Sequence, residues 1–260
     1  MKKTILLGLL TCTLSVFTAC SSDNNNEKNN EKQVLTGEKI TSFTENGEAS
    51  TTNIHYDMLG RVVSVTQEST TNDGKKKFFI TYKYYEHRIE AQTSGSKDAS
   101  AVFLLKDGRI TNSTLTGEES NTAECIYDDN NQLIKVYTKD NNTNIDWKNG
   151  NIEEINYSLG YHKHFKQFVY SPRSAKNFIA LGELEDCVPA IDGVDPFLFM
   201  QGYYGKFVNN LVEEVYSYNS FSISPTFRNL DAAYTYTLDN NGKVVKVRNN
   251  NGNIGNYTWK

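Results

Sequence analysis

A short hairpin signature recurs along this chain of 260 residues and constrains its fold more than any other feature. The signature is a strand-like run, a turn rich in Asp, Asn and Gly, and a second strand-like run. Its clearest copy covers residues 54–65, where Asp57 suits the first position of a type I turn and Gly60 suits a left-handed position. Because side chains alternate along a strand, Ile54 and Tyr56 are expected to share one face.

The same signature predicts hairpins over residues 126–136 and 236–247, with Asn131 at the left-handed position of the first. Shorter copies centre on Asp107–Gly108 and Asn149–Gly150. Short connections force consecutive strands to be antiparallel neighbours, so we expect an up-and-down meander. Because the edges of a long flat meander invite aggregation, we predict an all-β sheet that is strongly curved or closed into a barrel.

One segment interrupts the pattern, because all four prolines of the chain fall between Pro172 and Pro225. Proline is poorly tolerated in central strands. We therefore predict that residues 171–210 form a long insertion with one or two short helices, packed over one face or end of the sheet. The apolar run 196–200 belongs to this insertion, and a strand is expected to resume at Asn210.

The first twenty residues resemble a secretory signal that ends in a cysteine. Lys2 and Lys3 precede an apolar run over residues 5–17, and Cys20 follows two small residues, as in a lipoprotein signal. We predict that residues 1–19 are a signal peptide and that Cys20 becomes the lipid-modified N-terminus. The alternative is a plain secretory signal in which Cys20 is incidental.

Behind this signal, residues 20–35 are predicted to be the lipidated cysteine and a disordered tether, because the segment is polar and Asn-rich. Residues 36–260 are predicted to form a single domain. The acyl anchor predicts an outer-membrane location on the periplasmic or cell-surface face. The formal net charge of −4 disfavours nucleic acid as a partner, since nucleic acid rewards clustered Lys and Arg.

Cys125 and Cys187 remain in the domain after removal of the signal and acylation. They could form a disulfide in an oxidising envelope, or they could be separate thiols that pack as small apolar residues. The second alternative is favoured, because Cys125 lies in a strand-like run and no cysteine framework accompanies the pair.

Few residues are spaced like a catalytic or metal site. His162 and His164 would share one face of a strand, but zinc needs three or four ligands and no third is evident nearby. The oxygen-rich turns 128–131 and 192–195 lack the ligand pattern of an EF-hand loop. The sequence also lacks a nucleophile elbow, a zinc-protease helix and a phosphate loop. We predict no catalytic residue, no metal, no cofactor and no enzymatic activity.

Aromatic side chains are the remaining candidates for binding, because Tyr and Trp rings offer stacking platforms to sugars or peptides. We single out Trp147 and the pair Tyr203 and Tyr204, which lies between two glycines in the insertion. The alternative is that most aromatic rings line the core of the sheet. The predicted function is a monomeric binding module for a glycan, a peptide or an envelope partner. A structural or assembly component of an envelope complex is the alternative, ahead of a hydrolase.

The order of these motifs resembles a known family. It runs from the lipoprotein signal and polar tether through the Tyr-Asp-x-x-Gly-Arg hairpins, residues 147–151 and residues 202–206 to a closing Tyr257-Thr258-Trp259. The series resembles uncharacterised Bacteroidetes envelope lipoproteins whose domain of unknown function is described as porin-like in fold. The hairpins alone are also similar to YD repeats of Rhs-type proteins. The resemblance covers roughly residues 36–260.

This resemblance implies a curved or barrel-like antiparallel sheet and an outer-membrane or surface location, but no activity and no functional residue. A membrane-spanning barrel needs a lipid-facing apolar band along every strand. Both faces of the run 83–90 carry ionisable side chains. We therefore expect a lipid-tethered barrel in water rather than a pore.

Overall fold

The computed structural model describes residues 37–45, 50–71, 74–95, 98–117, 120–159, 162–219 and 228–260. The predictions of a signal peptide, of lipidation at Cys20 and of a disordered tether concern residues that lie outside these ranges. They therefore stay predictions.

Sixteen antiparallel strands form one closed barrel, in which each strand pairs with its neighbours in sequence and the first pairs with the last. The predicted all-β meander and its closure are confirmed. The strands are β1 (Ile40–Glu45), β2 (Ser50–Tyr56), β3 (Val62–Thr71), β4 (Gly74–Tyr84), β5 (Arg88–Ser94), β6 (Ala99–Lys106), β7 (Arg109–Thr116), β8 (Asn121–Tyr127), β9 (Leu133–Thr138), β10 (Asn142–Lys148), β11 (Asn151–Leu159), β12 (His162–Ser174), β13 (Asn210–Asn219), β14 (Asn229–Leu238), β15 (Val244–Asn249) and β16 (Ile254–Trp259).

Three hairpin turns share one aspartate-capped geometry. The Asp57 carboxylate accepts hydrogen bonds from two backbone N–H groups of its own turn, both at 2.9 Å. Asp128 and Asp239 do the same in the turns after β8 and β14. Gly60 and Asn131 adopt left-handed conformations with φ of 78° and 64°. The predicted turn chemistry is therefore confirmed, including asparagine in the place of glycine.

The insertion packs over one face of the sheet, as predicted, and this face is the inner one, so that the insertion lies inside the barrel. It contains the two short helices that the sequence predicts, a 3-10 helix over Gly182–Cys187 and α1 over Pro196–Met200. Its boundary also differs slightly, because β12 runs on to Ser174 and carries Pro172 near its irregular end. We call residues 175–209 the plug.

Strands on all sides of the barrel contact the plug, and most of its apolar side chains are buried. A closed barrel of this many strands encloses a lumen too wide for strand side chains alone to fill. An apolar insertion lowers the free energy by filling that space. The contacts join Leu181 to Glu45, Gln201 to Val62, Asp195 to Tyr82, Tyr203 to Ile110, Asp186 to Lys166 and Phe178 to Tyr257.

The plug gives the barrel two different ends. The plug end is the one at which β12 leaves the barrel and β13 enters it, and it also holds the connections that follow the other even-numbered strands. The far end holds the connections that follow the odd-numbered strands. These two names are used below.

The barrel wall directs apolar side chains into the lumen and mostly polar ones outward. Ile54 and Val65, for example, pair across β2 and β3 and are both buried, whereas their neighbours Asn53 and Thr66 pair on the outer face. Thr, Asn, Lys and Glu recur on that outer face at Thr51, Glu68, Lys77, Thr81, Glu90, Asn144, Asn156, Lys246 and Asn256. No helix among the described residues is long and apolar enough to cross a membrane.

A repeated hydrogen bond joins the two ends of a hairpin at the plug end. An aromatic side chain near the end of an even-numbered strand donates to a main-chain carbonyl near the start of the strand before it. Tyr170 donates to the Ile152 carbonyl at 2.6 Å, and the Trp147 indole donates to the Leu133 carbonyl at 2.8 Å. We call these bonds aromatic clasps. The others are Tyr56 to Ile40, Tyr84 to Val62, Tyr127 to Ile110, Tyr236 to Val212 and Trp259 to Val244.

Candidate functional site

Asp195 fixes the deepest part of the plug to the barrel wall. One carboxylate oxygen accepts a hydrogen bond from the Leu198 backbone N–H at 2.9 Å and thereby caps α1. The other oxygen accepts a hydrogen bond from the Tyr82 hydroxyl, also at 2.9 Å. Desolvation inside the lumen raises the pKa of the Asp195 carboxyl group, although these hydrogen bonds oppose the shift.

Two further polar contacts hold the plug. The Gln201 side chain accepts a hydrogen bond from the Val62 N–H at 3.0 Å, so a buried donor of the wall is satisfied. Lys166 forms an ion pair with Asp186 at 2.8 Å. Burial alone would lower the pKa of the Lys166 amine, but the neighbouring Asp186 carboxylate raises it by more. Lys166 therefore remains protonated beside its partner.

A cavity of about 260 Å³ lies between the plug and strands β4–β8, toward the far end. We call it the far-end cavity. Its floor is Gly193–Asp195, and its polar edge includes Thr93, Ser113 and Asn121. A cavity of about 150 Å³ is enough to bind benzene, so this one can admit an apolar group. The apolar wall is formed by Ile80, Ala91, Ala101, Phe103, Leu115 and Ala123.

The far-end cavity exists because small residues occupy its wall. Ala91 and Ala101 pair across β5 and β6, and Ala123 faces the same space from β8. Larger lumen-facing side chains such as Ile145 and Ile155 occupy the wall on β10 and β11. The floor also requires a small residue, because a Cβ on Gly193 would lie only 3.0 Å from the Thr138 methyl group. Alanine and glycine thus keep the space free.

A second apolar cavity of about 190 Å³ lies within the plug. Phe178, Val188, Phe199 and Phe207 contribute to its wall. Val194 lines both cavities, so its side chain stands between them. A ligand group that reaches the floor of the far-end cavity would therefore meet Val194 first.

The three aromatic residues singled out in the sequence lie apart from this cavity. Tyr204 is completely buried, and its hydroxyl accepts a hydrogen bond from the Asp195 N–H at 3.3 Å. Tyr203 is half-buried and stacks on Tyr84 with ring centroids 5.7 Å apart. Trp147 is half-buried and forms an aromatic clasp. The alternative prediction, that such rings line the core, matches these placements, and ligand binding by them stays a prediction.

The metal-site candidates have other contacts in this structure. His164 stacks on Tyr157 with ring centroids 5.4 Å apart, and the His162 side chain lies outside the described residues. Asp128 and Asp195 use their carboxylates for backbone and tyrosine hydrogen bonds. Within the described part of the chain, no group of three His, Cys, Asp or Glu residues could hold a metal ion.

Cys125 and Cys187 are both free and buried, which confirms the favoured alternative of two separate thiols. Burial raises the pKa of the Cys125 thiol to about 12 and raises the pKa of Cys187 as well. Since thiolate is the reactive form, both cysteines act as small apolar residues of the core.

The barrel matches a known protein family. A family described as a domain of unknown function (DUF4595) with porin-like fold matches residues 54–246. The chain belongs to this family. The DUF4595 match begins in β2 and ends in β15, so it includes the plug and the far-end cavity. The resemblance seen in the sequence is thereby confirmed for the porin-like family, while the likeness to YD repeats and the lipoprotein assignment stay predictions.

Two crystal structures are similar to this barrel in fold. A porin-like protein from Bacteroides uniformis ATCC 8492 is 18% identical with a TM-score of 0.59, covering 85% of this chain and 96% of that one. A porin-like protein from Bacteroides vulgatus ATCC 8482 is 14% identical with a TM-score of 0.56, covering 86% and 99%. At these identities the likeness shows the fold alone. No curated protein sequence matches the chain.

The sequence reasoning missed the cavity residues and Asp195. A signal was present, because Ala91, Ala101 and Ala123 stand at lumen-facing positions where other strands carry larger side chains. Recognising them requires the register of each strand and the position of the plug, and neither follows from one hairpin.

Proposed function

We propose that this chain is an envelope binding protein whose far-end cavity holds an apolar part of a ligand. The observation that carries the proposal is the alanine-lined space between the plug and β4–β8. Ligand sites are concave and mostly apolar, with a few placed polar groups, and this cavity has those properties. Its wall consists of strand residues, which hold a binding site more rigidly than loops do.

The size and lining of the cavity favour one ligand class over others. Its volume of about 260 Å³ lies just below the range of roughly 300–1,000 Å³ that is usual for whole small ligands. We therefore propose that it holds one apolar group, such as an alkyl chain or a peptide side chain. A glycan fits less well, because sugar hydroxyl groups need many hydrogen-bonding partners. Of the polar side chains that line the cavity, Thr93, Asn121 and Asp195 already form hydrogen bonds within the protein.

A binding experiment tests the proposal directly. Titration with an environment-sensitive apolar fluorophore should give saturable binding, and Ala101→Leu should weaken it about tenfold by filling the cavity. Val102→Leu is the matched control, since Val102 lies on the outer face of the same strand. Thermal unfolding of both variants checks that the barrel is intact. Absence of saturable binding, or equal binding by both variants, would contradict the proposal.

We further propose that lipidation of Cys20 anchors this domain at the outer membrane. The lipoprotein-like signal supports the anchor, and the polar outer face of the barrel supports a domain that stands in water. Cys20→Ser should shift the protein from the membrane fraction of washed cells to the soluble fraction. Cys12→Ser, which changes a cysteine within the predicted signal peptide, should leave it in the membrane. Retention of the Cys20→Ser variant in the membrane would refute the anchor.

A role as a structural or assembly component is the second candidate. The outer face of β12–β14 supports it, because Val169 and Leu230 are 43% and 47% exposed there. Phe165 and Tyr218 stack on each other elsewhere on strands β12 and β13, with ring centroids 4.6 Å apart. A photo-crosslinker placed at Val169 should capture an envelope protein in cells, whereas one at the outward Thr235 should not. Equal crosslinking from the two sites would count against this role.

A further inference from the structure

One lysine stands on the cavity side of the wall. Ile80 pairs with the buried Val65 and lines the far-end cavity, so alternate residues of β4 face the lumen. Lys76 is four residues before Ile80 and shares its face, which places it about 13 Å along the strand toward the far end. Its side chain is exposed and has no hydrogen bond or ion pair to any described residue.

The two lysines next to Lys76 in the sequence lie on the outer face of the barrel. Lys77 faces outward, where it forms an ion pair with Glu68 at 2.7 Å and lies over the Phe79 ring at 5.1 Å. Lys75 also belongs to the outward set of β4. Among the strand residues described for β3–β8, Lys76 is the only one on the lumen face with a formal charge. The strand wall toward the far end of the cavity therefore carries one lumen-facing cation.

We propose that the far-end cavity binds a single-chain amphiphile with an anionic head, a carboxylate in its simplest form. This inference rests on the proposed function and specifies its ligand. The alkyl chain lies between Ile80 and Phe103 and reaches toward Val194. The head stays at the rim, where Lys76 supplies an opposite charge and solvent keeps the head hydrated. A chain on the order of ten carbon atoms matches the length of β4 from Lys76 to Ile80, about 13 Å.

The reverse orientation, with a cationic head at the floor, is disfavoured. Asp195 is the acidic group there, and its two oxygens already accept hydrogen bonds from Leu198 and Tyr82. An ammonium head would have to leave water and cross an apolar wall to reach this carboxylate. Among the described strand residues of β3–β8, the lumen-facing charge is thus the cation of Lys76.

Three ligands with the same chain and different heads test the inference. In isothermal titration at low salt, decanoate should bind the whole domain about two- to fivefold more tightly than decanol, the gain expected of an exposed charge pair. Decyltrimethylammonium should bind most weakly. Lys76→Gln should abolish the preference for decanoate, whereas Lys75→Gln removes the same charge from the outer face and should retain it. High salt should also diminish the preference.

Other outcomes separate this inference from the proposed function. Equal binding of the three ligands, with no change in Lys76→Gln, would overturn the anionic head but leave the apolar cavity in place. Tightest binding of the ammonium ligand, lost in Asp195→Asn, would overturn it in favour of the floor carboxylate. Failure of every ligand to bind would refute the proposed function itself.

Discussion

The plug end and the far end of the barrel solve different physical problems. At the plug end, aspartate-capped turns and aromatic clasps satisfy main-chain groups, and the plug fills the lumen. Toward the far end, alanine replaces large side chains on β5, β6 and β8, and a cavity remains. One end therefore provides stability while the other retains unfilled apolar surface. The difference teaches that the site proposed for binding results from packing that is left incomplete.

The largest effect is expected from the plug. Tyr204→Ala should lower the free energy of unfolding by about 4 kcal/mol, because it removes a completely buried aromatic ring and leaves a void. Urea unfolding measures this change. Tyr85→Ala is the control, since Tyr85 is 44% exposed and should cost less than about 1 kcal/mol. Similar losses in the two variants would show that the plug contributes no more than the surface does.

A smaller effect is expected from a single aromatic clasp. Tyr170→Phe keeps the ring but removes the hydroxyl that donates to the buried Ile152 carbonyl, so about 1.5 kcal/mol of unfolding free energy should be lost. Tyr85→Phe removes a hydroxyl whose hydrogen bond to Glu90 is exposed to solvent, and the stability of this variant should be unchanged. If Tyr170→Phe is neutral, the clasps do not stabilise the plug end.

The next prediction concerns pH, because the two ends hold carboxyl groups with opposite shifts. The folded pKa of Asp195 is raised by desolvation above its ordinary value of 3.8. Its stabilising contribution is therefore complete below about pH 3.8 and is lost as pH rises through the folded pKa. Asp195→Asn keeps an acceptor for the Leu198 N–H but does not titrate. As pH rises through the folded pKa of Asp195, the unfolding free energy of this variant should therefore increase relative to that of the unsubstituted protein.

Asp57 is the control, because its pKa is lowered whereas that of Asp195 is raised. Burial opposes the shift, but hydrogen bonds and charge from Arg61 lower the pKa of the Asp57 carboxyl. Its contribution is present above about pH 3.8 and is lost as pH falls through the folded pKa. Urea unfolding over a pH series should therefore give differences of opposite slope for Asp57→Asn and Asp195→Asn. Parallel slopes would contradict the two assignments.

The smallest stability effect is expected at the far end. Leu115→Ala enlarges the cavity at a side chain that is already 40% exposed, so the unfolding free energy should fall by less than about 1 kcal/mol. Binding of the apolar fluorophore should nevertheless weaken several-fold. Leu104→Ala is the matched control, because Leu104 is 49% exposed on the outer face and should not affect binding. A large stability loss in Leu115→Ala would show that this wall is structural.

Local turn chemistry could be predicted from the sequence, because each turn is determined by a few adjacent residues. Asp57 and Gly60 occupy the roles that their positions predict, and so does Asn131. Two of the clasps use the tyrosine that directly precedes a turn aspartate, Tyr56 before Asp57 and Tyr127 before Asp128. Their acceptors lie in the preceding strand, so the motif alone does not reveal them.

The site of the plug could not be predicted in the same way. Whether the apolar run 196–200 is buried inside or against the outside depends on the width of the lumen, which the number and tilt of the strands determine. The same dependence hides the cavity, because Ala91 and Ala101 are only adjacent once two strands pair. Asp195 resembles a turn residue in the sequence and gains its role only beside Tyr82.

The aromatic clasp also bears on the history of the chain. Each clasp joins residues within one hairpin, as in Trp147 and Leu133 or Trp259 and Val244. Both the donor and the acceptor of a clasp therefore belong to the same hairpin, so this hydrogen bond does not depend on any other part of the chain. Such a unit can be duplicated or deleted as a cassette, and the circumference of the barrel would change by two strands each time. Tandem copying of one ancestral hairpin is thus a physically simple route to a barrel of this kind.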